Sequence, residues 1–395
     1  MRARLNTFKS KNGDCIFFRL NNGETDFNIM IDCAMYTDEI RGFVENELKK
    51  HINLLIVTHI DFDHVDGLCT MLRETQNLKI DKIFYNCYQL VTGETIAAMT
   101  DVVLRDIEYL KSNLPKAVIN TTTKISMEHA SVLASLIMSN PNWNNAWEKS
   151  FYIHNDIAPY SLGECFGRLV FLSPTLANIQ VLDKKFGREY MRLTTHRASD
   201  TPFEGRETLY ELVTRLVLMK KRECEYIKKH KVAAVVDKYT EDKWNQAYAF
   251  IPTCISEENM ASIAFVWEYG ENRVLFMGDA EPELVKTSIE KNYKQVLNFK
   301  AIKVSHHGSK HSTSVGLMNV ADSTDYFITG GTPSDKPSLE AITKIVDRKD
   351  DKMRTIHINN ERNNLMQDLM TDKLKMIRDK FNFQILTTNE LEFEY

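Results

Sequence analysis

Short apolar runs recur at both ends of the chain, and helix-period patterns fill the interval between them. CIFFRL (15–20) and FNIMID (27–32), joined by the turn-forming NNGE (21–24), read as neighbouring strands. TDEIRGFVENELKKH is helical in spacing, and NLLIVT (53–58) reads as a buried strand. HVDGLCTMLRET reads as the helix that follows it, and KIDKIFYNCY (79–88) as a further strand. Residues 94–150 are mostly helical in pattern, with one helix opening at Ser126. FGRLVFLSPT (166–175) is a strand ending in a proline turn, and a long helical stretch occupies 177–253. The β pattern then returns as a hairpin, ASIAFVWEYG (261–270), the turn ENR and VLFMGD (274–279). AIKVSHHGSKHS (301–312) is a strand running into a polar loop, and DYFITGG (325–331) is a strand followed by the helix SLEAITKIVDR. Strands at both ends with helices between and outside them predict a layered α/β architecture with two sheets.

Composition narrows this picture. The chain has 395 residues, 43% hydrophobic and 26% charged, enough for a substantial core and ordinary for a globular protein. The net charge of −4 excludes a bulk-basic nucleic-acid binder, so any polyanion contact must come from a local basic patch or bound cations. Seven scattered cysteines without a CxxC pair point to reduced thiols in a cytoplasm-like compartment. The first residues, MRARLNTFKSKNGDC, contain no apolar h-region, and no apolar run approaches the length of a membrane span.

Chemistry concentrates at three strand ends. After the strand 53–58, four metal-binding side chains, His59, Asp61, Asp63 and His64, crowd into six positions. In an extended loop alternate residues face the same way, so His59 and Asp61 share one metal while Asp63 and His64 turn toward a second. Asp279, after Gly278 at a strand end, is placed to bridge two cations. His306 and His307 lie in VSHHGSKHS. Taken singly, Asp279 is a commonplace turn residue and the histidine pair could be a surface loop. Their joint occurrence, each at a strand end, points to a metal site. Two cations about 3.5–4 Å apart activate a water and clamp a phosphoryl oxygen. Mixed imidazole and carboxylate donors suit Zn(II), Mn(II) or Fe(II), and Asp61 in place of a third histidine favours harder ions such as Mn.

The order T-H-x-D-x-D-H-x-x-G, then an aliphatic strand ending in M-G-D, then H-H-G-S, resembles the metallo-β-lactamase superfamily. Within it the chain is most similar to the ComEC-like branch, the hydrolase domain of competence proteins and its stand-alone relatives. NGDCIFFRL, MIDCA, FGRLVFLSPT, the hairpin around VLFMGDAE and YFITGG followed by KPSLEAI carry that similarity, over roughly 1–175 and 254–395. The resemblance implies a four-layer αββα sandwich formed by one domain, 1–395, with a helical insertion at 177–253. It implies His59 and Asp61 on one metal, Asp63 and His64 on the other, and Asp279 between them. One of His306 and His307 is then a ligand, His307 being the nominated one, and the other lies near the scissile group. Asp32 orients the loop. Asp63, His306, His307 and Lys310 are the candidate catalytic residues, with Ser309 and Lys310 placed to touch a phosphate oxygen.

The chain departs from the family pattern in three places. No clear histidine ligand lies between the first cluster and Asp279, with His129 and His154 the only weak candidates. Lys336-Pro337 stands where relatives have His-Pro. The helical insertion is long, and its segment 215–238 carries eight Lys/Arg against three acidic residues. Lys220, Lys221, Arg222, Lys228 and Lys229 are there either a solvated helix face or a phosphate-tracking surface.

The expected activity is metal-dependent phosphodiester hydrolysis, on nucleic acid by preference, with one or two ions per chain. A carboxylic ester, lactone or thioester hydrolase and a catalytically degenerate partner-binding scaffold are the competing readings. A regulatory protein partner or self-association is a further expectation, as is the absence of membrane attachment.

Overall fold

In the computed structural model, residues 1–86, 133–134, 136–182, 240–253, 255–360 and 362–395 are described. Five strands open the chain: β1 (Arg2–Thr7), β2 (Cys15–Asn21), β3 (Asp26–Cys33), β4 (His51–Val57) and β5 (Lys79–Tyr85). Next come β6 (Tyr160–Ser161), β7 (Arg168–Ser173), β8 (Ala264–Tyr269) and β9 (Asn272–Phe276). They are followed by β10 (Leu297–Phe299), β11 (Ala301–Lys303), β12 (Ala321–Ser323) and β13 (Asp325–Ile328). Last are β14 (Arg354–Ile358), β15 (Phe383–Leu386) and β16 (Glu390–Glu394). One sheet has the order β16-β1-β2-β3-β4-β5 and the other β15-β14-β13-β11-β9-β8-β7-β6, while β10 and β12 pair separately.

Side-chain alternation assembles these sheets into layers. On β2, Ile16, Phe18 and Leu20 point between the sheets, while Phe17 points outward. On β9, Val274 and Phe276 face inward and Leu275 faces out. The two inner faces close on one another, with Phe18 edge-on to Trp267 at a centroid separation of 5.0 Å. The outer face of the first sheet is covered by the helices Asp38–Gly42 and Phe62–Glu74 and by Trp143 and Trp147. The outer face of the second is covered by the helices Pro282–Asn292, Val315–Val320, Leu339–Val346 and Asn364–Met370. The result is a four-layer αββα sandwich. Each fully buried aromatic of the inner layer contributes roughly 1.5–3 kcal/mol of burial free energy.

The ends of the chain close the first sheet. β16 pairs antiparallel with β1, and Arg4 bonds Glu392 across it. The candidate helical insertion lies largely outside the described residues, as do Lys220, Lys221, Arg222, Lys228, Lys229, His129 and the helix expected from Ser126. Its final helix, Glu241–Ala249, stacks Trp244 on Phe381 with centroids 4.4 Å apart. Cys15, Cys33 and Cys165 are free thiols. No helix among the described residues is long and apolar enough to cross a membrane.

Topology then fixes where chemistry collects. β3 and β4 run parallel, and so do β9, β11 and β13. Their C-terminal ends therefore open onto one edge of the sandwich, the usual place for sites in α/β folds. Those ends carry Asp32, Thr58-His59, Gly278-Asp279, Ser305–Gly308 and Thr329–Gly331.

Candidate metal centre

Asp63 and His64 do not lie in an extended loop. The helix begins at Phe62, Asp61 is its N-cap residue, and Asp63 and His64 form its first turn. Rotation by about 100° per residue sends the two side chains to different partners. The Asp61 carboxylate makes no capping bond and faces His59, with Oδ2 3.6 Å from Nε2.

A carboxylate buried at the end of β3 sets the protonation of this cluster. Asp32 is fully buried and held at φ +56°, a left-handed conformation that costs about 1 kcal/mol for a residue other than glycine. Its Oδ1 accepts the Thr58 N–H at 2.8 Å, and its Oδ2 accepts the Thr58 hydroxyl at 2.6 Å. Oδ2 also accepts Nδ1–H of His64 at 2.7 Å. Having given its proton to Asp32, Thr58 Oγ1 can only accept from His59 Nδ1, 3.0 Å away. The His307 Nδ1–H donates to the Thr329 carbonyl at 2.8 Å. In the neutral form all three imidazoles are thus held as the tautomer whose Nε2 carries a bare lone pair.

Those lone pairs converge. Nε2 of His59, His64 and His307 and Oδ1 of Asp279 are buried without a hydrogen-bond partner. Asp279 divides its two oxygens between two sides. Oδ1 lies 3.5 Å from His64 Nε2, while Oδ2 lies 3.8 Å from His59 Nε2 and 3.6 Å from His306 Nε2. On the His64 side, Asp63 Oδ2 stands 3.5 Å from His307 Nε2. The sets His59, His64, Asp279 and Asp63, His64, His307 each bring one donor atom per residue within 4.8 Å of the others. Buried, partnerless donors of opposite charge preference, spaced too widely to bond each other, fit a divalent cation between them.

Without an ion, the carboxylates around the cluster draw protons onto its imidazoles, protons that a bound cation has to displace. Burial opposes protonation of His64, yet Asp279 and Asp32 overcome it and hold its pKa well above the ordinary value. Burial alone would raise Asp279, but His306, His64 and His307 hold it well below the carboxylate range. Asp63 is likewise lowered, against its burial, by His307 and His64. His306 differs: burial, with Lys336 and the neighbouring histidines also opposing protonation, pulls it down to about 4 despite Asp279.

The backbone around the site is strained and close-packed. His306 and His307 take φ +47° and +55°, the left-handed region, and so does Gly278 at +49°. A Cβ on Gly278 would lie 2.5 Å from Ser262 Oγ, the atom that accepts the Asp279 N–H. Gly13 approaches so closely that a Cβ there would sit 1.7 Å from the Asp63 carbonyl oxygen.

Sequence reasoning left several residues of this site without a role. Asp14, in the NGDC step, is fully buried, pairs with the buried Lys303 and accepts from Thr329 Oγ1. Its Oδ1 lies 3.3 Å from His307 Nδ1, so it backs that ring as Asp32 backs His64. Its pKa is lowered because Lys303 and His307 outweigh burial. The Lys303 ammonium also donates to the Gly278 carbonyl at 3.1 Å. Thr58, Ser262 and Asn259 complete the surroundings. Among them only Asp14 carried a signal, a Gly-Asp step before an apolar strand.

The remaining candidates are placed as follows. Ser309 Oγ lies 3.4 Å from His306 Nδ1. Lys310 is exposed, its ammonium 5.9 Å above the Phe250 ring. His154 accepts the Asp156 N–H in a turn at 3.2 Å. Lys336 brings its ammonium to 2.5 Å from His306 Nε2.

No protein-family model and no curated protein matches the sequence. Among solved structures, the chain is similar to a point mutant of the CmlA beta-hydroxylase. The identity is 10%, the match covers 99% of this chain and 54% of that one, and the TM-score is 0.38. It is also similar to a structure described as a new diphosphatase from the PhnP family. There the identity is 9%, the coverage 100% and 98%, and the TM-score 0.36. The chain thus spans about half the length of the hydroxylase. Overlap at this level leaves the fold resting on its own strand order and the site on its own geometry.

Proposed function

We propose that this chain is a metal-dependent hydrolase of the metallo-β-lactamase type acting on phosphodiesters, with nucleic acid the favoured substrate. The observation that carries the reading is the convergence of four partnerless buried donors, His59, His64, His307 and Asp279, from three strand ends. A Zn(II) or Mn(II) ion held there supplies Lewis acidity toward a water and a phosphoryl oxygen. The protein's own part is to orient the neutral imidazoles with Nε2 toward the ion, through Asp32, Thr58 and the Thr329 carbonyl. That arrangement argues against a degenerate scaffold, in which nothing would maintain buried polar atoms without partners.

The phosphodiester preference draws on basic side chains in a cleft that reaches the segment just before Asp14. A cleft of about 540 Å³ is lined by Lys9, Lys11 and Arg362, with Asp38 and Glu39 on its wall. It reaches Asn12, whose carbonyl accepts the Gly331 N–H at 2.7 Å, two residues before Asp14. Lys310, and Lys220, Lys221, Arg222, Lys228 and Lys229 of the insertion, are proposed as further phosphate contacts.

The test is a substrate panel with purified protein loaded with Zn(II) or Mn(II). It comprises single- and double-stranded DNA, RNA, bis(p-nitrophenyl) phosphate, and acyl ester, lactone and thioester compounds. Cleavage of phosphodiesters that is lost in the Asp63→Ala, His64→Ala double variant supports the proposal. Turnover of acyl compounds alone replaces it with the ester-hydrolase reading.

A further inference from the structure

Lys336 reaches into the site at the atom where a second cation would bind. Its Nζ stands 2.5 Å from Nε2 of His306, and that same Nε2 is the atom facing Oδ2 of Asp279 at 3.6 Å. A neutral imidazole has one bare nitrogen, and that nitrogen has one lone pair. It accepts from an ammonium or binds a metal, but not both.

The contact is built into the fold. The Thr332 N–H donates to the Lys336 carbonyl at 3.0 Å, and the Ser338 N–H donates to the carbonyl of Gly308, in the His306-His307 loop, at 2.8 Å. The Asn363 amide donates to the Pro337 carbonyl at 3.3 Å. The backbone on both sides of Lys336 is therefore pinned, one side directly to the histidine loop. Among the described residues Lys336 makes no ion pair with a carboxylate, so no acidic neighbour draws its ammonium elsewhere.

The two sides of Asp279 are consequently unequal. On the Asp63 side, His64, His307 and Asp63 each bring a donor atom within 4.8 Å of the others, and Asp279 Oδ1 stands 3.5 Å from His64 Nε2 as a fourth. On the other side His306 is engaged, leaving His59 Nε2, Asp61 Oδ2 and Asp279 Oδ2 next to a fixed positive charge. Like charge at that distance disfavours a divalent ion.

We propose that the Lys336 ammonium takes the place of a second cation, so that this chain binds a single divalent ion tightly, on Asp63, His64, His307 and Asp279. His306 is then a partner of Lys336 rather than a metal ligand. The ammonium is left facing the position that an anionic phosphoryl oxygen would take beside the ion. This inference rests on the metal reading proposed above and adds its stoichiometry.

The test counts ions in the full chain, without reference to turnover. Chelator-stripped protein is reloaded with Zn(II), or separately Mn(II), dialysed and analysed for metal. The expected result is about one ion per chain in the unmodified protein and in Lys336→Arg, and about two in Lys336→Met. With Mn(II), electron paramagnetic resonance should show an isolated-ion signal in the first two and an exchange-coupled pair in Lys336→Met. His307→Ala should lose the ion, whereas His306→Ala should retain it. Two tight ions in the unmodified protein overturn the inference while leaving the metal reading intact. So does one ion in a folded Lys336→Met variant. No bound ion in any form removes both.

Discussion

Replacing Asp32 by Asn separates fold from metal chemistry. The two side chains have the same shape, and Asn tolerates the φ of +56° at this position as readily as Asp does. The Thr58 N–H, 2.8 Å from Oδ1, requires an acceptor, so the amide oxygen must take that place. The NH2 group then falls at the Oδ2 position, against Thr58 Oγ1 and His64 Nδ1. Both must now accept. His64 shifts its proton to Nε2, and the Thr58 hydroxyl, turned round, donates to His59 Nδ1 and forces the same shift there. Two bare Nε2 lone pairs, one of them on the ligand His64, are lost through one buried atom. Loss of a partner that orients a ligand typically costs about 10–100-fold in metal affinity. Of the two imidazoles only His64 is a ligand of the proposed ion, so the expected loss lies within that range, about 10–100-fold. Fold stability changes far less. A charge-assisted bond, worth roughly 1.5–3 kcal/mol, becomes a neutral one worth roughly 1 kcal/mol. Zn(II) affinity is measured by competition with a chromogenic chelator, and stability by denaturant unfolding of the metal-free protein. Asp32→Asn with unchanged affinity would refute the tautomer argument. A metal-free protein destabilised by several kcal/mol would show that Asp32 acts on the fold instead.

Three further outcomes follow from other parts of the structure. Asp279→Ala removes the carboxylate shared by both sides, and phosphodiester turnover should fall by at least about 10²–10³-fold, read as kcat on metal-loaded protein. Asp322→Asn removes a countercharge of Arg354, whose side chain is 1% exposed and 3.0 Å from Asp322. Breaking such a buried pair should cost about 3 kcal/mol in denaturant unfolding, less where Asp350, at 2.8 Å, still holds the guanidinium. Glu148 is lowered to about 2 because its bonds to Lys82 and Ser150 outweigh burial. A depressed carboxylate adds stability above its unfolded value that is lost as pH falls through the folded one. Glu148→Gln should therefore flatten the unfolding-versus-pH curve on its acid limb, below about pH 5 and toward pH 2, and leave neutral pH nearly unaffected in slope.

The parts of this molecule that a sequence displays are those with local causes. CIFFRL and FNIMID read as nearly continuous apolar runs because β2 and β3 bury both faces, and they emerge as Cys15–Asn21 and Asp26–Cys33. NLLIVT became β4, and the hairpin around ENR became β8 and β9. The metal-donor cluster at 59–64 was legible from density alone, although its helix starts two residues earlier than expected and so re-aims Asp63 and His64. What stayed hidden depends on distant contact. β1 and β16 read as polar segments because Arg2 and Arg4 match Glu392 and Glu390 across nearly the whole chain length. Asp14, Thr58 and Ser262 are single polar residues, and their roles exist only where three strand ends meet. Sequence could not choose between His306 and His307. Burial and bond partners distinguish them: His307 is fully buried with a bare Nε2, and His306 faces Lys336.

The central claim is that remote strand ends assemble a cation site, and anomalous diffraction from Zn(II)-loaded crystals tests it most directly. The account predicts a strong peak at the zinc edge within bonding distance, about 2.0–2.2 Å, of His64 Nε2, His307 Nε2, Asp63 and Asp279. Crystals that bind zinc only elsewhere, or show these four side chains pairing with each other around no ion at saturating metal, would contradict it.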